Sequence, residues 1–520
     1  IVASTQPSGL ANWLGAGIAT PALRLLSGAG FSANVDLAPG MQRFDALELA
    51  VGSSMLEGSA LRRTDGERPL VELALKGDTL DLGMFAAFGG MFVNGSADLP
   101  DLGHDLALTL DAGPVTASGL EADAFGLTAR VKEDRADIDR LMVTNLAGAS
   151  LSATGSLTDL SLTPSGTVDV SIVSADGAEL ISTLAAQFSG PDWLSLAADR
   201  IGATPDLLSD AQLSFIASTA PEDKDRSWTL SGNAKAASGS ASFTGNWKSG
   251  EDLGDADGGW QVTATQREPL NFLSLAGVDL VPLGAPGPAT VELKANGNPA
   301  VSLELEFAYS AEGTSATFAG TRSNGADGPL LAGKVSLTSD DLDPYLLATG
   351  LALPGTGFGT PVTLQTTMSS SGGSLEMKDI AASVGEAKVS GDLGITTSGE
   401  RLKVGGGLVA DRLDAAWLME MIAGPVAFQP ALEGQEAAPF ANAALLPADG
   451  RVNLKAKEFD LGAVGTAADA SAELAFDAGS IRLEKLEAGL AGGKLSGSVA
   501  GTNQEGTVTV GGDFALVDAA

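Results

Sequence analysis

The stretch LEAGLAGGKLSGSVA, residues 486–500, alternates apolar and polar side chains on both sides of a Gly-Gly pair. Such alternation is typical of a half-buried β-strand, and Gly-Gly favours the positive φ angles of a two-residue hairpin turn. With residues 492 and 493 as the turn, Leu490 is predicted to pair with Leu495. One face of this hairpin is then apolar and the other polar.

The same pattern recurs in LELAVGSSMLEGSA (47–60) and IAASVGEAKVSGDL (380–393). Each copy places a glycine on the apolar face: Gly58, Gly391 and Gly497. We predict a strand bend or bulge at these glycines; the alternative is that they leave room for a bound chain. The apolar-face residues, which would line any groove, are Leu47, Leu49, Val51, Leu56, Ile380, Val384, Val389, Leu393, Leu486, Leu490, Leu495 and Val499.

A second pattern joins a strand to a short helix through Leu-Asp or a related pair. It occurs at 73–90, 335–350 and 407–424, with weaker relatives at 170–188 and 262–277. Asp at the start of a helix accepts hydrogen bonds from its first N–H groups and favours its positive end. Asp81, Asp343 and Asp414 are therefore predicted to be helix caps, with a polar rim on a groove as the alternative.

Together these patterns predict a mainly β fold, an elongated array of antiparallel β units with one short helix per unit, curled into a groove. Short helices cannot cover so long an apolar face, so it must close on a second sheet, curl on itself or meet something apolar that is not protein. The predicted organisation is a helical end of a preceding unit at 1–30, then units at 31–100, 101–190, 191–280, 281–350, 351–440 and an incomplete one at 441–520.

Composition narrows the function. The chain of 520 residues has 65 acidic and 30 basic residues, a net charge of −35, which argues against nucleic acid as a partner. It has no Cys, which excludes thiol catalysis and disulfides, and a single His, His104. Neither a G-x-S-x-G nucleophile motif nor a phosphate-binding loop occurs. We expect no enzyme activity, no cofactor and no metal site.

The order of these patterns resembles the AsmA-like, TamB-related family of Gram-negative bacteria, most closely at 43–90, 138–188, 330–424 and 478–515. The resemblance implies a periplasmic β-groove repeat protein, anchored in the inner membrane by an N-terminal helix that this sequence does not contain. It also implies bridge-like lipid transport toward the outer membrane and no catalytic residues. The region 190–330 matches the patterns poorly.

We expect a segment that binds or conducts phospholipid between inner and outer membrane, contributing to outer-membrane lipid homeostasis and biogenesis. Its partners would be phospholipid acyl chains, the two membranes of the cell envelope through segments outside this chain, and envelope proteins. One alternative is a structural β-sandwich or solenoid stalk of an envelope or surface protein, in which Val389 and Leu495 would contact a second sheet. Another is an assembly factor that pairs outer-membrane proteins at exposed sheet edges.

Overall fold

The structure is a computed structural model of the chain. It describes residues 1–4, 28–89, 104–117, 119–160, 164–187, 192–222, 225–249, 256–325, 328–350, 359–398, 401–418, 448–477, 479–504 and 507–518. Of the helical end predicted at 1–30, residues 5–27 lie outside the described residues, while Val2–Ser4 form a strand and a second strand begins at Ala29. The described chain divides into two compact units, Ile1–Gly258 and Gly259–Ala520, and each is treated separately below.

Strands dominate the first unit. They are β1 (Val2–Ser4), β2 (Ala29–Ala38), β3 (Met41–Val51), β4 (Ser54–Arg63), β5 (Leu70–Asp81), β6 (Asp105–Ala112), β7 (Val115–Ala117), β8 (Leu120–Ala122), β9 (Ala124–Lys132), β10 (Arg135–Leu146), β11 (Ala149–Thr158), β12 (Ser165–Asp176), β13 (Ser209–Glu222), β14 (Asp225–Ala236) and β15 (Gly239–Ser249). Neighbours pair antiparallel from β2 to β5 and from β9 to β15. The exceptions are β6, which runs parallel to β5 and antiparallel to β9, and β7, whose short pairing with the end of β5 is also parallel.

The second unit is built in the same way. Its strands are β17 (Ala289–Asn298), β18 (Ser302–Ala311), β19 (Thr314–Gly325), β20 (Gly328–Ser339), β21 (Val362–Ser371), β22 (Ser374–Val384), β23 (Ala387–Ser398), β24 (Arg401–Asp414), β25 (Ala448–Asp460), β26 (Thr466–Asp477), β27 (Ser480–Leu490), β28 (Gly493–Gln504) and β29 (Thr507–Val517), and β16 (Asp257–Gln266) crosses the boundary. Only β24 and β25 pair parallel among the described neighbours from β17 to β29. The predicted mainly antiparallel β fold with few, short helices is confirmed.

Helices follow particular strands. They are α1 (Leu82–Gly89), α2 (Gly177–Gln187), α3 (Asp192–Gly202), α4 (Asn271–Ala276) and α5 (Asp343–Ala348), with residues 415–418 also helical and short 3₁₀ turns at Pro205–Leu208 and Gly462–Val464. They come after β5, β12, β16, β20 and β24. Because alternate antiparallel strands share a direction, the helices within one unit lie at the same edge of its sheet. We call this the helix edge and the opposite one the far edge.

The repeated hairpins form, but their register differs from the prediction by two residues. Leu495 pairs with Ala488 instead of Leu490, because residues 491 and 492 make the turn. The other two hairpins show the same shift, with Leu49 opposite Leu56 and Ala382 opposite Val389. An even shift leaves every side chain on its predicted face, so the apolar face survives the error.

Each of these hairpins also contains a β-bulge, a position with one extra residue in one strand. Ala46, Asp379 and Lys485 occupy it, with φ angles of 50°, 53° and 55°. Pairing resumes directly after the bulge with Leu47, Ile380 and Leu486, each opposite one of the repeated glycines. The bulge returns the apolar side chains on both sides of it to one face and increases the local strand twist.

The repeated glycines are required by the neighbouring backbone. A Cβ atom at Gly58, Gly391 or Gly497 would lie 1.9, 2.1 or 2.3 Å from a carbonyl oxygen of the next strand. Because real Cβ atoms do not approach that closely, a side chain there would push two strands apart. The predicted strand bend therefore explains these glycines, and room for a bound chain does not.

We expect Gly391→Ala to lower the free energy of unfolding by about 2–4 kcal/mol, because the new methyl group would collide with the carbonyl of Gly407. Gly394→Ala, in the same strand, is the matched control, since its nearest atom would be 3.9 Å away. Urea unfolding followed by circular dichroism measures both. Equal stability of the two variants would contradict the backbone explanation.

Candidate functional site

In the second unit, apolar side chains form continuous rows that run across the strands. Hydrogen-bonded register aligns one row of Val291, Tyr309, Ala316, Leu337, Leu364, Ala382 and Val389. A second row consists of Leu293, Phe307, Phe318 and Val335. The sheet therefore presents one broad apolar face from β17 to β23.

The first unit carries the same arrangement on β11 to β15. Its rows are Leu151, Ile172, Leu213, Ala234 and Ala241; Ala153, Val170, Phe215, Gly232 and Phe243; and Gly155, Val168, Ala217, Leu230 and Gly245. Since alternate residues on a strand are about 6.8 Å apart, three rows cover roughly 14 Å along the strands.

Carboxylates are nearly absent from these faces. Among the described, paired apolar-face positions of β11–β15 and β17–β23, Asp176 at the helix-edge end of β12 is the single acid, although the chain has 65 acidic residues. Other acids stand on the opposite face, as Asp169 and Glu304 illustrate. The other charged residues at these described positions are Arg226 and Arg322, both at the far edge. The chain thus keeps nearly all of its negative charge off one side of the sheet.

These apolar rows are not a dry core. Val170, Phe215 and Phe307 are each half-buried, and Leu293 is 39% exposed. Elsewhere the same face is closed: Leu56 is 0% exposed in a cluster covered by α1 and β7. Surface that stays open on so many neighbouring side chains is available to an apolar ligand.

Among the described residues, the helix edge is sealed while the far edge is not. In the second unit, α5 buries Ala348 to 0% exposure, and Val362 at the start of β21 is also buried. Asp343 anchors this helix, because its carboxylate accepts hydrogen bonds from the Thr360 hydroxyl at 2.5 Å and from the Gly359 N–H at 3.3 Å. The open apolar face of each unit therefore has one closed side, and we call this face the trough.

Aromatic side chains line the closed side. The hydroxyls of Tyr309 and Tyr345 are hydrogen bonded at 2.9 Å, and Phe272 packs edge-on against Tyr309 with ring centroids 6.3 Å apart. Burial raises the pKa of Tyr309 above its usual range, and the hydrogen bond with Tyr345 adds to this effect. This contact joins α5 to the apolar face.

The structure separates the predicted groove residues into three places. Leu47, Leu49 and Leu56 belong to the closed cluster under α1, and Val51 nearby is 1% exposed. Leu486, Leu490, Leu495 and Val499 belong to a second closed cluster around Phe459. Ile380 is buried, whereas Val384, Val389 and Leu393 are half-buried on the open face of the second unit.

Two of the three predicted helix caps form as expected. Asp81 accepts a hydrogen bond from the Met84 N–H at 2.9 Å, and Asp414 from the Ala416 N–H at 2.7 Å. At α5 the capping carboxylate is Asp341, which accepts from the Asp343 N–H. Asp343 instead turns back to the segment before β21, a role that depends on tertiary contacts and leaves no local sequence signal.

The six tryptophans are spread along the sequence, but the fold brings two of them together. Trp228 and Trp247 stand directly opposite each other on β14 and β15, stacked with ring centroids 6.1 Å apart and an interplanar angle of 7°. Placing a two-residue hairpin turn at residues 237 and 238 pairs Trp228 with Trp247, so the sequence pattern could have predicted this contact. Both rings lie at the far edge of the first unit's apolar face.

Two depressions lie on the polar face. One of about 640 Å³ in the first unit includes Glu57, Lys76 and Asp123, and one of about 770 Å³ in the second includes Lys388 and Asp411. Both are shallow, and both polar and apolar side chains line them. Within the described residues, no three His, Asp or Glu side chains are placed to hold a metal ion.

Comparisons with known proteins leave the family open: no family model and no curated protein matches this chain. Among the helices of the described residues, none is long and apolar enough to cross a membrane.

We expect Tyr345→Phe to lower the free energy of unfolding by about 1–2 kcal/mol, since it leaves the partly buried Tyr309 hydroxyl without its partner. Removing both hydroxyls, in Tyr309→Phe with Tyr345→Phe, should restore part of this loss. Stability should also fall as pH rises above about 10, because the unfolded chain then loses the tyrosine proton before the folded chain does. Urea unfolding at pH 8 and pH 10.5 measures this; an equal loss in Tyr309→Phe would contradict it.

Proposed function

We propose that the open apolar faces of this chain bind the acyl chains of phospholipids. The observation that carries the proposal is the set of aligned, carboxylate-free rows whose large apolar side chains stay half-buried. A protein with a dry core would bury these side chains against a second layer. The exposed area instead matches a ligand that is long, apolar and featureless.

The dimensions suit acyl chains. Five neighbouring strands span roughly 20 Å at about 4.8 Å per step, and one leaflet of a bilayer's hydrocarbon core is about 15 Å thick. An extended acyl chain therefore fits across the rows of either unit. Rows without a deep pocket also favour many weak, equivalent contacts, which allow a chain to slide instead of being trapped.

The energetic reason for such a surface is the cost of exposing lipid tails. A phospholipid carries roughly 30 methylene groups, each worth about 0.8 kcal/mol when removed from water. The total, on the order of 20 kcal/mol, prevents unaided crossing of an aqueous gap. A trough that keeps the tails covered at each step removes most of this barrier.

The closed and open edges give the bound lipid an orientation. Since α5 and its aromatic contacts close the helix edge of the second unit, a phospholipid headgroup would leave the trough at the far edge. There it remains in water, so the trough needs no residues specific for one headgroup. Arg322 is positioned at that edge.

We further propose that the protein belongs to the AsmA-like class of periplasmic β-groove proteins in a Gram-negative bacterium. In this proposal it is anchored to the inner membrane by a segment outside this chain and conducts phospholipid toward the outer membrane. It is a transport protein and not an enzyme. Support comes from the repeated sequence patterns together with the four-strand-plus-helix order of the chain.

We expect the purified chain, produced in a Gram-negative host, to carry phospholipid that mass spectrometry detects. Phe318→Asp should reduce the bound lipid severalfold, because it places a charge in the middle of a row. Thr317→Asp, the next residue on the same strand, faces the polar side and is the matched control. Circular dichroism checks that both variants fold.

Photo-crosslinkers sharpen the test. A crosslinking residue at Val384, on the open face, should capture lipid, and one at Leu490, inside a closed cluster, should not. Purified protein without lipid, together with no capture at Val384, would overturn the proposal and favour a dry structural role.

A further inference from the structure

The far edge of the first unit holds two buried polar atoms that lack hydrogen-bond partners. They are the Oγ1 atom of Thr219 and the Nε1 atom of Trp228. The two residues stand directly opposite each other on β13 and β14, so their side chains are neighbours on the apolar face. Because a buried donor without a partner is costly, two at one place indicate an acceptor supplied by a ligand.

The surroundings define the polarity of that ligand. Arg226 lies two residues from Trp228 toward the far edge, on the same face. On the other side follow Leu230 and Ala217, which are paired with each other and begin the apolar rows. Along about 14 Å of strand, the face therefore changes from a cation, through two hydrogen-bond donors, to hydrocarbon.

The neighbouring positions leave space beside the donors. Gly166 pairs with Thr219 from β12 and presents no side chain. On the other flank the stacked indole of Trp247 supports the Trp228 ring. Both indoles are half-buried, while the Nε1 and Oγ1 atoms themselves are buried, so a ligand reaches the donors by displacing a neighbouring side chain.

We propose that Thr219 and Trp228 form a subsite for the acyl ester carbonyl groups of a glycerophospholipid. An indole N–H only donates, and a threonine hydroxyl can donate, so the complementary group is an acceptor such as an ester carbonyl oxygen. The order phosphate, ester, acyl chain in the lipid matches the order Arg226, Trp228 with Thr219, Leu230 on the face. This inference rests on the proposed function and adds the chemical class of the bound lipid.

A comparison of ester and ether lipids tests the subsite. The full 520-residue chain is offered an equal mixture of diacyl phosphatidylglycerol and its dialkyl ether analogue, which has the same headgroup and chain length but no carbonyl groups. We expect the protein to retain the ester lipid about threefold to tenfold better, the effect of one or two hydrogen bonds. Mass spectrometry of the bound fraction gives the ratio.

The variant Thr219→Val with Trp228→Phe removes both donors; valine keeps the shape of threonine, and phenylalanine keeps an aromatic ring, smaller than indole, at residue 228. It should bind ester and ether lipids equally, by losing affinity for the ester. Thr229→Val, on the polar face next to Trp228, is the matched control and should keep the preference.

The outcomes separate the two proposals. If the unmodified protein binds both lipids equally, the proposed ester subsite is contradicted, but the proposal that the chain binds lipid is supported. If it binds neither, the proposed function is wrong as well. If the double variant keeps the ester preference of the unmodified protein, the preference arises elsewhere and the assignment to Thr219 and Trp228 is wrong.

Discussion

The separation of carboxylates from one face of the sheet is the constraint on which the rest of the structure depends. With 65 acidic residues, a strand that slipped by one position would bring Asp or Glu into the apolar rows. Two-residue turns prevent this in each repeated hairpin, and the bulges at Ala46, Asp379 and Lys485 return the strand to the correct face. Local backbone geometry thus maintains a chemical division across many strands.

The helices add an asymmetry that strands alone would not produce. Each follows a strand of the same direction within its unit, so they gather at one edge and bury residues there, as α5 does with Ala348. At the far edge of the apolar rows no described helix plays this part in either unit. An apolar face with one sealed side and one open side is suited to a ligand that is itself apolar at one end and polar at the other.

The sequence predicted the strands, their faces and the position of the short helices because all three are local. Alternation decides the face, and Leu-Asp before an apolar run decides the helix start. Register was missed by two residues because Gly492-Gly493 and Ala491-Gly492 both make acceptable turns. The sequence also could not predict which parts of the apolar face are covered. Leu490 and Val389 follow the same alternating pattern, but only tertiary packing buries the cluster that contains Leu490.

The hydrogen-bond donors at the far edge could not be predicted from the sequence either. Thr219, Trp228 and Arg226 carry no motif, and they acquire meaning only when pairing places them in order along one face. Their order also resolves an apparent conflict between a net charge of −35 and an anionic lipid. Carboxylates on the polar face are separated from the trough by the sheet itself, Asp176 lies at the helix edge, and the charges at the open edge are arginines. A phosphate at that edge therefore meets the one place on the apolar face where the local charge is positive, whatever the sign of the whole molecule.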